Sequence, residues 1–442
     1  MRIVRNVKDV VDFFTVGILV VSIYMLMLFL NQNIVISDLE KVWDREKTTV
    51  TDSIHRYTTD RSPISGPRRM VHSVSCARII EGDKSEIQKA KIITHNSNSI
   101  SDLEYVNLTR NCADFKMLQG FENRLYNNLE KTFPIAFTIL MYETVEQTVR
   151  LIRSIYSPFN VYCIHVDDSS APFVKQGMTS FAKCFNNVFM VSKPINVIYN
   201  HFSRLQAEFN CMADVMKRNR HWKYLINLPN TEFPLKTNLE IIKILSIYNG
   251  SNDIEGITVP NQMMGHRISH SYVLKNGHVV KTNRTKSKPP HKIQIVKGSA
   301  YGVFSRALVQ YAMKDKRAIG LIEWSKDIAS PDEYFWATLN HNPHLKAPGH
   351  YKGKPDKKPW LAAYAAWGGR DPCRGKFRNG VCVFGVGDLN ELVQRKELFA
   401  NKFLLSFQPL AYECMEEWIN NKTYSTLPFE TFYYRQLPFI QK

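Results

Sequence analysis

Apolar and polar positions follow three different rhythms along this chain. From Phe13 to Leu30 the sequence is apolar apart from Thr15, Gly17, Ser22 and Tyr24, close to the roughly 20 residues that a helix needs to cross a bilayer. Arg2, Arg5 and Lys8 precede this stretch, whereas the flank from Asp38 to Lys47 mixes signs. The positive-inside rule therefore makes residues 1–12 a cytosolic tail, residues 13–30 a transmembrane signal anchor and the remainder lumenal. The apolar run outlasts the roughly 7–15 residues of a signal-peptide core and no small-x-small cleavage site follows, which argues for retention. The second rhythm is polar. Residues 31 to about 75 include Ser62-Pro-Ile-Ser-Gly-Pro67 and read as a stem, and His95 to Ser101 is another polar run. We assign residues 31–130 to a stem and an N-terminal segment tied to the globular part by cysteines, and residues 131–442 to one catalytic domain.

From Pro134 the pattern becomes regular. Ile135 to Met141 predicts a strand, Val145, Val149, Ile152 and Tyr156 recur at helical spacing, and Val161 to Val166 predicts a second strand ending at Asp167-Asp168. Val188 to Val191, a helix from about Ser203 to Arg220, and Tyr224 to Leu228 repeat the alternation. The fold class is therefore α/β, with a doubly wound, mostly parallel sheet flanked by helices. Ligands of such sheets bind at the carboxyl ends of the strands. Asp167 stands at one such end and Asn230-Thr-Glu232 just beyond another.

Composition adds a compartment and a ligand class. Cys76, Cys112, Cys163, Cys184, Cys211, Cys373, Cys382 and Cys414 form an even set without a CxxC pair, which disfavours zinc and favours disulfides in an oxidising lumen. Sequons at Asn107, Asn249, Asn283 and Asn421 agree with that address. The chain is 44 % hydrophobic, ample for a large core, and carries a net charge of +18. Part of the excess lies in Lys275 to Lys297, which reads as a solvated loop. No dense basic stripe with interleaved aromatics supports nucleic-acid binding, so the charge suits small anionic ligands such as a nucleotide diphosphate.

Neither GxGxxG nor GxxxxGK[ST] occurs, which leaves kinase and dehydrogenase chemistry without support. No Asp-x-Asp metal pair occurs either. If a nucleotide diphosphate departs during the reaction, side chains must then meet its charge. The candidates lie in Cys373-Arg-Gly-Lys-Phe-Arg-Asn-Gly-Val-Cys382 and just after it: Arg374, Lys376, Arg378 and Lys402.

Seven segments carry a resemblance. Tyr162-Cys163-Ile-His-Val-Asp167, Trp222-Lys-Tyr-Leu-Ile-Asn-Leu228, Phe233-Pro-Leu-Lys-Thr-Asn-Leu-Glu-Ile241, Gly298-Ser-Ala-Tyr301, Ser330-Pro-Asp-Glu333, Trp336-Ala-Thr338 and Leu398-Phe-Ala-Asn-Lys402-Phe resemble, in order and spacing, the core-2/I-branching β-1,6-N-acetylglucosaminyltransferase family. The likeness runs from about residue 130 to 415. It implies a single-pass type II Golgi membrane enzyme of GT-A-like fold, a hexosyltransferase that inverts configuration without a metal ion or other cofactor. The implied partners are a UDP-sugar, an O-glycosylated glycoprotein acceptor and the Golgi membrane; nucleic acid is not among them, and a homodimer is compatible. By position the resemblance makes Glu333 the general base, Lys402 a diphosphate ligand and Asp167 a uridine contact. It also implies the pairs Cys76–Cys414, Cys112–Cys184, Cys163–Cys211 and Cys373–Cys382.

The departures concern the substrate. The family's second diphosphate cation falls on Asn379; a local shift would put Arg378, one place away, in that role, and Arg374 and Lys376 are the alternatives. Glu255 matches a sugar-contacting acid, but the family's following lysine and arginine fall at Met263 and His266, with Arg267 beside the latter. Trp360 and Tyr364 are candidate aromatic platforms for the acceptor. The expected reaction is transfer of N-acetylglucosamine, with glucose as the alternative, in β-1,6 linkage to a core 1 type O-glycan. Two other readings are a protein xylosyltransferase acting on proteoglycan serine and a catalytically inactive Golgi glycan-binding protein.

Overall fold

The computed structural model describes residues 68–93, 99–122, 124, 126–218, 221–258, 265–425 and 427–440. The expected tail and anchor, and the stem as far as residue 67, lie outside the described residues. Among the described residues no helix is long and apolar enough to cross a membrane.

Strand β1 (Ile135–Met141) forms over the predicted run, as do β2 (Val161–Val166), β3 (Val188–Met190) and β4 (Tyr224–Pro229). Next come β5 (Glu232–Pro234), β6 (Asp253–Ile254), β7 (Ile257–Thr258), β8 (His270–Lys275), β9 (His278–Thr285), β10 (Val296–Lys297) and β11 (Gly302–Ser305). The last are β12 (Ala363–Ala365), β13 (Lys376–Arg378), β14 (Val381–Val383) and β15 (Phe399–Asn401). The main sheet has the order β3-β2-β1-β4-β11-β6. Its first four strands are parallel, and β11 is antiparallel to both β4 and β6. Five of the six strands therefore run the same way and β11 is reversed, so the sheet is mostly parallel, as expected.

Period-two alternation explains why both faces are buried. Ile135, Phe137, Ile139 and Met141 enter one apolar cluster with the helices Val145–Ile155, Pro172–Lys183 and Asn238–Tyr248. Ala136, Val161 and Cys163 face the opposite cluster, built with the helices Ser203–Lys217, Arg306–Lys314 and Phe335–Asn340. A third cluster joins Val74 and Ile79 to Phe233, Phe384, Ala400 and Tyr412 around the small sheet β12-β15-β5. The pattern did not reveal that sheet, because its three strands have three residues each.

Residues 76–132 form short helices whose apolar side chains join these clusters: Ile79 in the third, Tyr105, Phe115 and Phe121 in the first. The disulfides are Cys76–Cys414, Cys112–Cys184, Cys163–Cys211 and Cys373–Cys382, the pairing that the family resemblance implies. Next to Cys414, Glu416 accepts from Arg150 and Arg153, each at 2.6 Å, so the C-terminal helix Pro409–Thr423 is held to Val145–Ile155 by charge as well as packing. Asn107, Asn249 and Asn283 are exposed, whereas Asn421 is half-buried with its side-chain oxygen accepting from the Arg68 amide.

A fully buried ion pair ties the end of the sheet to the loop before β12. Lys358 Nζ lies 2.9 Å from Asp253, whose carboxylate also accepts from the Leu361 amide, and the ammonium sits 4.0 Å from the Phe439 ring centroid. Such a pair stabilises little in itself, but removing one partner strands the other charge out of water. Lys358→Met is therefore expected to lower the unfolding free energy by roughly 3–5 kcal/mol. Denaturant titration checks this, with Lys352→Met, an exposed neighbour, as the neutral control.

Candidate active site

β1, β2 and β4 run parallel, and over their carboxyl ends lies a cavity of about 210 Å³. Asp167, the first residue after β2, is in its wall. One carboxylate oxygen accepts from the Ser169 amide at 2.8 Å and its hydroxyl at 2.6 Å; the other accepts from the Val197 amide at 2.9 Å. Asp167 therefore shapes the loop that lines the cavity, with both oxygens already bonded. His165, beneath it, accepts from the Ile195 amide, and burial lowers its pKa.

On the floor of the cavity Arg204, in the first turn of the helix Ser203–Lys217, gathers groups from distant parts of the chain. It donates to the Tyr301 hydroxyl, lies 5.2 Å from the Tyr301 ring centroid and pairs with Asp332 at 3.0 Å. Burial alone would lower its pKa, but Tyr301 and Asp332 hold it above the ordinary value. One turn later, buried Glu208 accepts from Asn227 at 2.9 Å and Trp336 at 3.4 Å, and burial pushes it up to about 8. Glu232, just past β4, is also fully buried and also pushed up to about 8 by burial. One of its oxygens accepts from Asn401 at 3.2 Å; the other has no partner among the described residues.

Arg204 fixes the turn that carries Glu333. Ser330 has a left-handed backbone (φ 54°), held by its amide and hydroxyl bonding to Asn200, each at 2.8 Å. The 3₁₀ turn Pro331–Glu333 then sends Asp332 inward to Arg204 and leaves Glu333 with 30 % of its side chain exposed. Burial raises the Asp332 pKa against the pull of Arg204. Glu333 Oε2 lies 3.1 Å from Arg267 and 3.6 Å from Lys297. Oε1 has no hydrogen-bond partner among the described residues. The Glu333 carbonyl accepts from the Gly298 amide at 2.7 Å. Only glycine fits there, because a Cβ would stand 2.4 Å from the Glu255 carbonyl oxygen. Glu255 is thereby brought beside the same turn. Burial raises its pKa, Lys297 and Arg370 oppose the rise, and the charge of Glu333 adds to it.

The Cys373–Cys382 loop gives its cations different neighbours. β13 and β14 form a hairpin whose turn residues, Asn379 and Gly380, both have positive φ (54° and 77°). A two-residue turn of this kind favours Asn-Gly, so a bulky cation at 379 would be strained, and the charge moves to Arg378 at the end of β13. Arg374 turns away to Glu391 at 3.4 Å, and Lys376 sits 4.4 Å from the Phe407 ring centroid. Lys402 Nζ instead donates to the Arg378 carbonyl at 3.1 Å, while its backbone exchanges hydrogen bonds with Cys382 and Phe384. Burial, then the charge of Arg378, lowers the Lys402 pKa. Neither cation has a carboxylate partner among the described residues. Asn401, next to Lys402, donates to buried Glu232.

The two aromatic candidates are both half-buried. Tyr364 stacks on Phe384 with Arg395 3.6 Å from its ring centroid, and Trp360 packs against the first apolar cluster with its indole N–H buried and unpartnered. Neither contacts Glu255 or Glu333 among the described residues. Trp367 and Phe377 are exposed rings at the cationic hairpin: each is 47 % exposed, and Trp367 forms a backbone bridge to Val381. Met263 lies outside the described residues, and His266 offers its carbonyl to Tyr272 while Arg267 takes the Glu333 contact. Arg204, Lys297, Arg370 and Trp367 escaped sequence reasoning. A usable signal existed for two of them, since Lys297 directly precedes Gly298-Ser-Ala-Tyr301 and Trp367 lies six residues before the cationic loop.

The family model of the core-2/I-branching enzyme matches residues 135–393. A "Beta-1,3-galactosyl-O-glycosyl-glycoprotein beta-1,6-N-acetylglucosaminyltransferase 3" of Ovis aries is 34 % identical over 366 residues, covering 79 % of this chain and 83 % of its own. A "Beta-1,3-galactosyl-O-glycosyl-glycoprotein beta-1,6-N-acetylglucosaminyltransferase" of Homo sapiens is 35 % identical over 371 residues, covering 80 % and 86 %. One of Bovine herpesvirus 4 is 34 % identical with 79 % and 83 % covered. With the match spanning most of the chain, this protein belongs to the core-2/I-branching enzyme family and is a glycosyltransferase of that kind.

Proposed function

We propose that the chain is an inverting glycosyltransferase that moves a sugar from a UDP-sugar, without a metal ion, in β-1,6 linkage to a core 1 type O-glycan on glycoproteins. N-acetylglucosamine is the first choice of donor sugar and glucose the second. One observation carries the reading: Arg378 and Lys402 stand together, with Lys402 Nζ donating to the Arg378 carbonyl, and neither has a carboxylate partner among the described residues. The names of the relatives support the linkage and the acceptor class.

In this mechanism the sugar lies over the strand ends with its diphosphate against Arg378 and Lys402. The acceptor 6-hydroxyl enters between Glu255 and Glu333. Its oxygen attacks the anomeric carbon from the face opposite the diphosphate while Glu333 takes the hydroxyl proton. As the bond from carbon to diphosphate oxygen breaks, its electron pair goes to UDP, and the two cations meet that charge in the role a metal plays elsewhere. Arg267 and Lys297 hold one carboxylate oxygen of Glu333, leaving the other for the acceptor. The only group of His, Cys, Asp and Glu ligand atoms within 4.8 Å of one another among the described residues is Cys373, Cys382 and Asp388, whose sulfurs form a disulfide. The proposed address is the Golgi membrane in type II orientation, resting on the apolar run 13–30 and the disulfide set.

The full chain in detergent, supplied with a panel of UDP-sugars and a Galβ1,3GalNAc acceptor in excess EDTA, is expected to transfer N-acetylglucosamine or glucose at the rate seen without EDTA. Loss of rate on chelation would mean that a metal serves the site. Absence of product with every donor would remove the proposed acceptor. Glu333→Gln is expected to reduce kcat by about 10²–10⁴-fold with UDP affinity unchanged in calorimetry. Near-normal turnover would take Glu333 out of the chemistry.

A further inference from the structure

Between Glu255 and Asp315 the chain contains no aspartate or glutamate, only neutral residues, histidines, lysines and arginines. That segment starts at the acceptor carboxylate, supplies both cations that touch Glu333, and between them projects the β8–β9 hairpin. Asn276 and Gly277 close the hairpin with positive φ (51° and 76°), a two-residue turn that suits the strand twist. The sequence pattern suggested a solvated loop; the structure shows a ribbon with an apolar component. Val273 is 50 % exposed, Leu274 46 % and Val280 40 %. Lys275 pairs in register with His278 and Val273 with Val280, so alternation puts these four on one face.

The root of the hairpin is anchored beside the catalytic turn. The Tyr272 amide donates to the Asp327 carbonyl at 2.8 Å, the Ala329 amide to the Arg267 carbonyl at 3.1 Å, and Arg267 itself reaches Glu333. Asp327 also takes Arg284, at 2.9 Å, and Lys286. Beyond it Lys275, Lys281 and Lys288 make no ion pair among the described residues. Val273, Val280 and Lys275 share one face of the ribbon, Leu274 and Lys281 lie on the other, and Lys288 follows β9, so apolar groups and unpaired ammonium groups on the projecting ribbon suit a ligand with both apolar contacts and negative charge.

We infer that the β8–β9 hairpin is a docking surface for the acceptor glycoprotein, and that it recognises an acidic stretch of polypeptide beside the glycan being extended. The inference rests on the transferase reading and specifies its acceptor. A polypeptide is the occupant because the ribbon is rooted at Glu333, where the acceptor must come, and because an extended strand pair offers main-chain edges along with side chains. Net positive charge at the rim accelerates encounter with an acidic partner and weakens with salt.

The test uses the full chain in detergent and two glycopeptides bearing the same Galβ1,3GalNAc, one with aspartate and glutamate around the modified residue and one with serine and glycine. The acidic peptide is expected to show a KM about fivefold lower or more at low salt, with kcat unchanged and the advantage fading by 0.5 M salt, a range set by rim-charge energetics. The combined variant Lys275→Ser, Lys281→Ser, Lys288→Ser is expected to lose that advantage and to use a small neutral aryl disaccharide at the wild-type rate, which also shows that it folds. Lys275→Glu with Lys281→Glu is expected to reverse the preference. Fluorescence anisotropy of the labelled peptides reads binding independently of turnover. If the acidic peptide binds preferentially but no donor yields product, the docking surface stands and the reaction assigned above fails. Equal KM and equal binding for the two peptides overturns the inference, as does a preference that survives the triple variant. Charge-dependent binding to anionic vesicles without peptide discrimination would also overturn it.

Discussion

Two like charges held side by side are the constraint on which the site depends. Arg378 and Lys402 repel each other, and burial together with that repulsion lowers the lysine pKa. An anion is the partner that relieves such a pair, and the surrounding fold keeps them from separating. The Cys373–Cys382 bond closes the loop, the Asn379–Gly380 turn fixes where Arg378 leaves it, and the backbone of Lys402 bonds to Cys382 and Phe384 on β14. Competing carboxylates are diverted: Glu391 faces Arg374, and Glu397 faces Arg395.

Arg204 is the second organising element, because it makes the position of the base depend on the main sheet. The helix Ser203–Lys217 is packed rigidly through Leu205, Phe209 and Met212. Its first turn places Arg204 between Tyr301 and Asp332, so the 3₁₀ turn cannot rotate without breaking a partly buried ion pair. The neighbouring carboxyls Glu208 and Glu232 are kept out of water, which favours their neutral forms.

The sequence carried much of this and concealed the rest for identifiable reasons. β1 and β2 coincide with the predicted apolar runs because both faces of each strand are buried, and Glu333 and Lys402 sit in motifs whose order is fixed by the fold. The antiparallel strands β11 and β6 were not legible: Asp253–Ile254 is too short to show a period. Arg204, Tyr301 and Asp332 are about a hundred residues apart or more along the chain at the widest, and only the packing of the helix onto the sheet brings them together. Lys297 was read as part of a general excess of charge, since nothing local distinguishes a lysine that reaches a carboxylate from one that meets water, whereas Arg267 was noted beside the family's arginine position. Trp360 and Tyr364 were chosen for ring chemistry alone; both are half-buried, Trp360 against the first apolar cluster and Tyr364 against the third.

The central claim is that two side-chain cations take the place of a metal at the donor diphosphate. Calorimetry of UDP binding in EDTA, on the wild type, Arg378→Ala, Lys402→Ala and the double variant, tests it most directly. Charge-assisted hydrogen bonds of this kind contribute about 1.5–3 kcal/mol each, so each single variant is predicted to bind UDP about tenfold to a hundredfold more weakly. The double variant should differ from the sum of the singles, because both cations act on one ligand and on each other. UDP binding unchanged by either substitution, or binding that appears only when a divalent ion is added, would contradict the account.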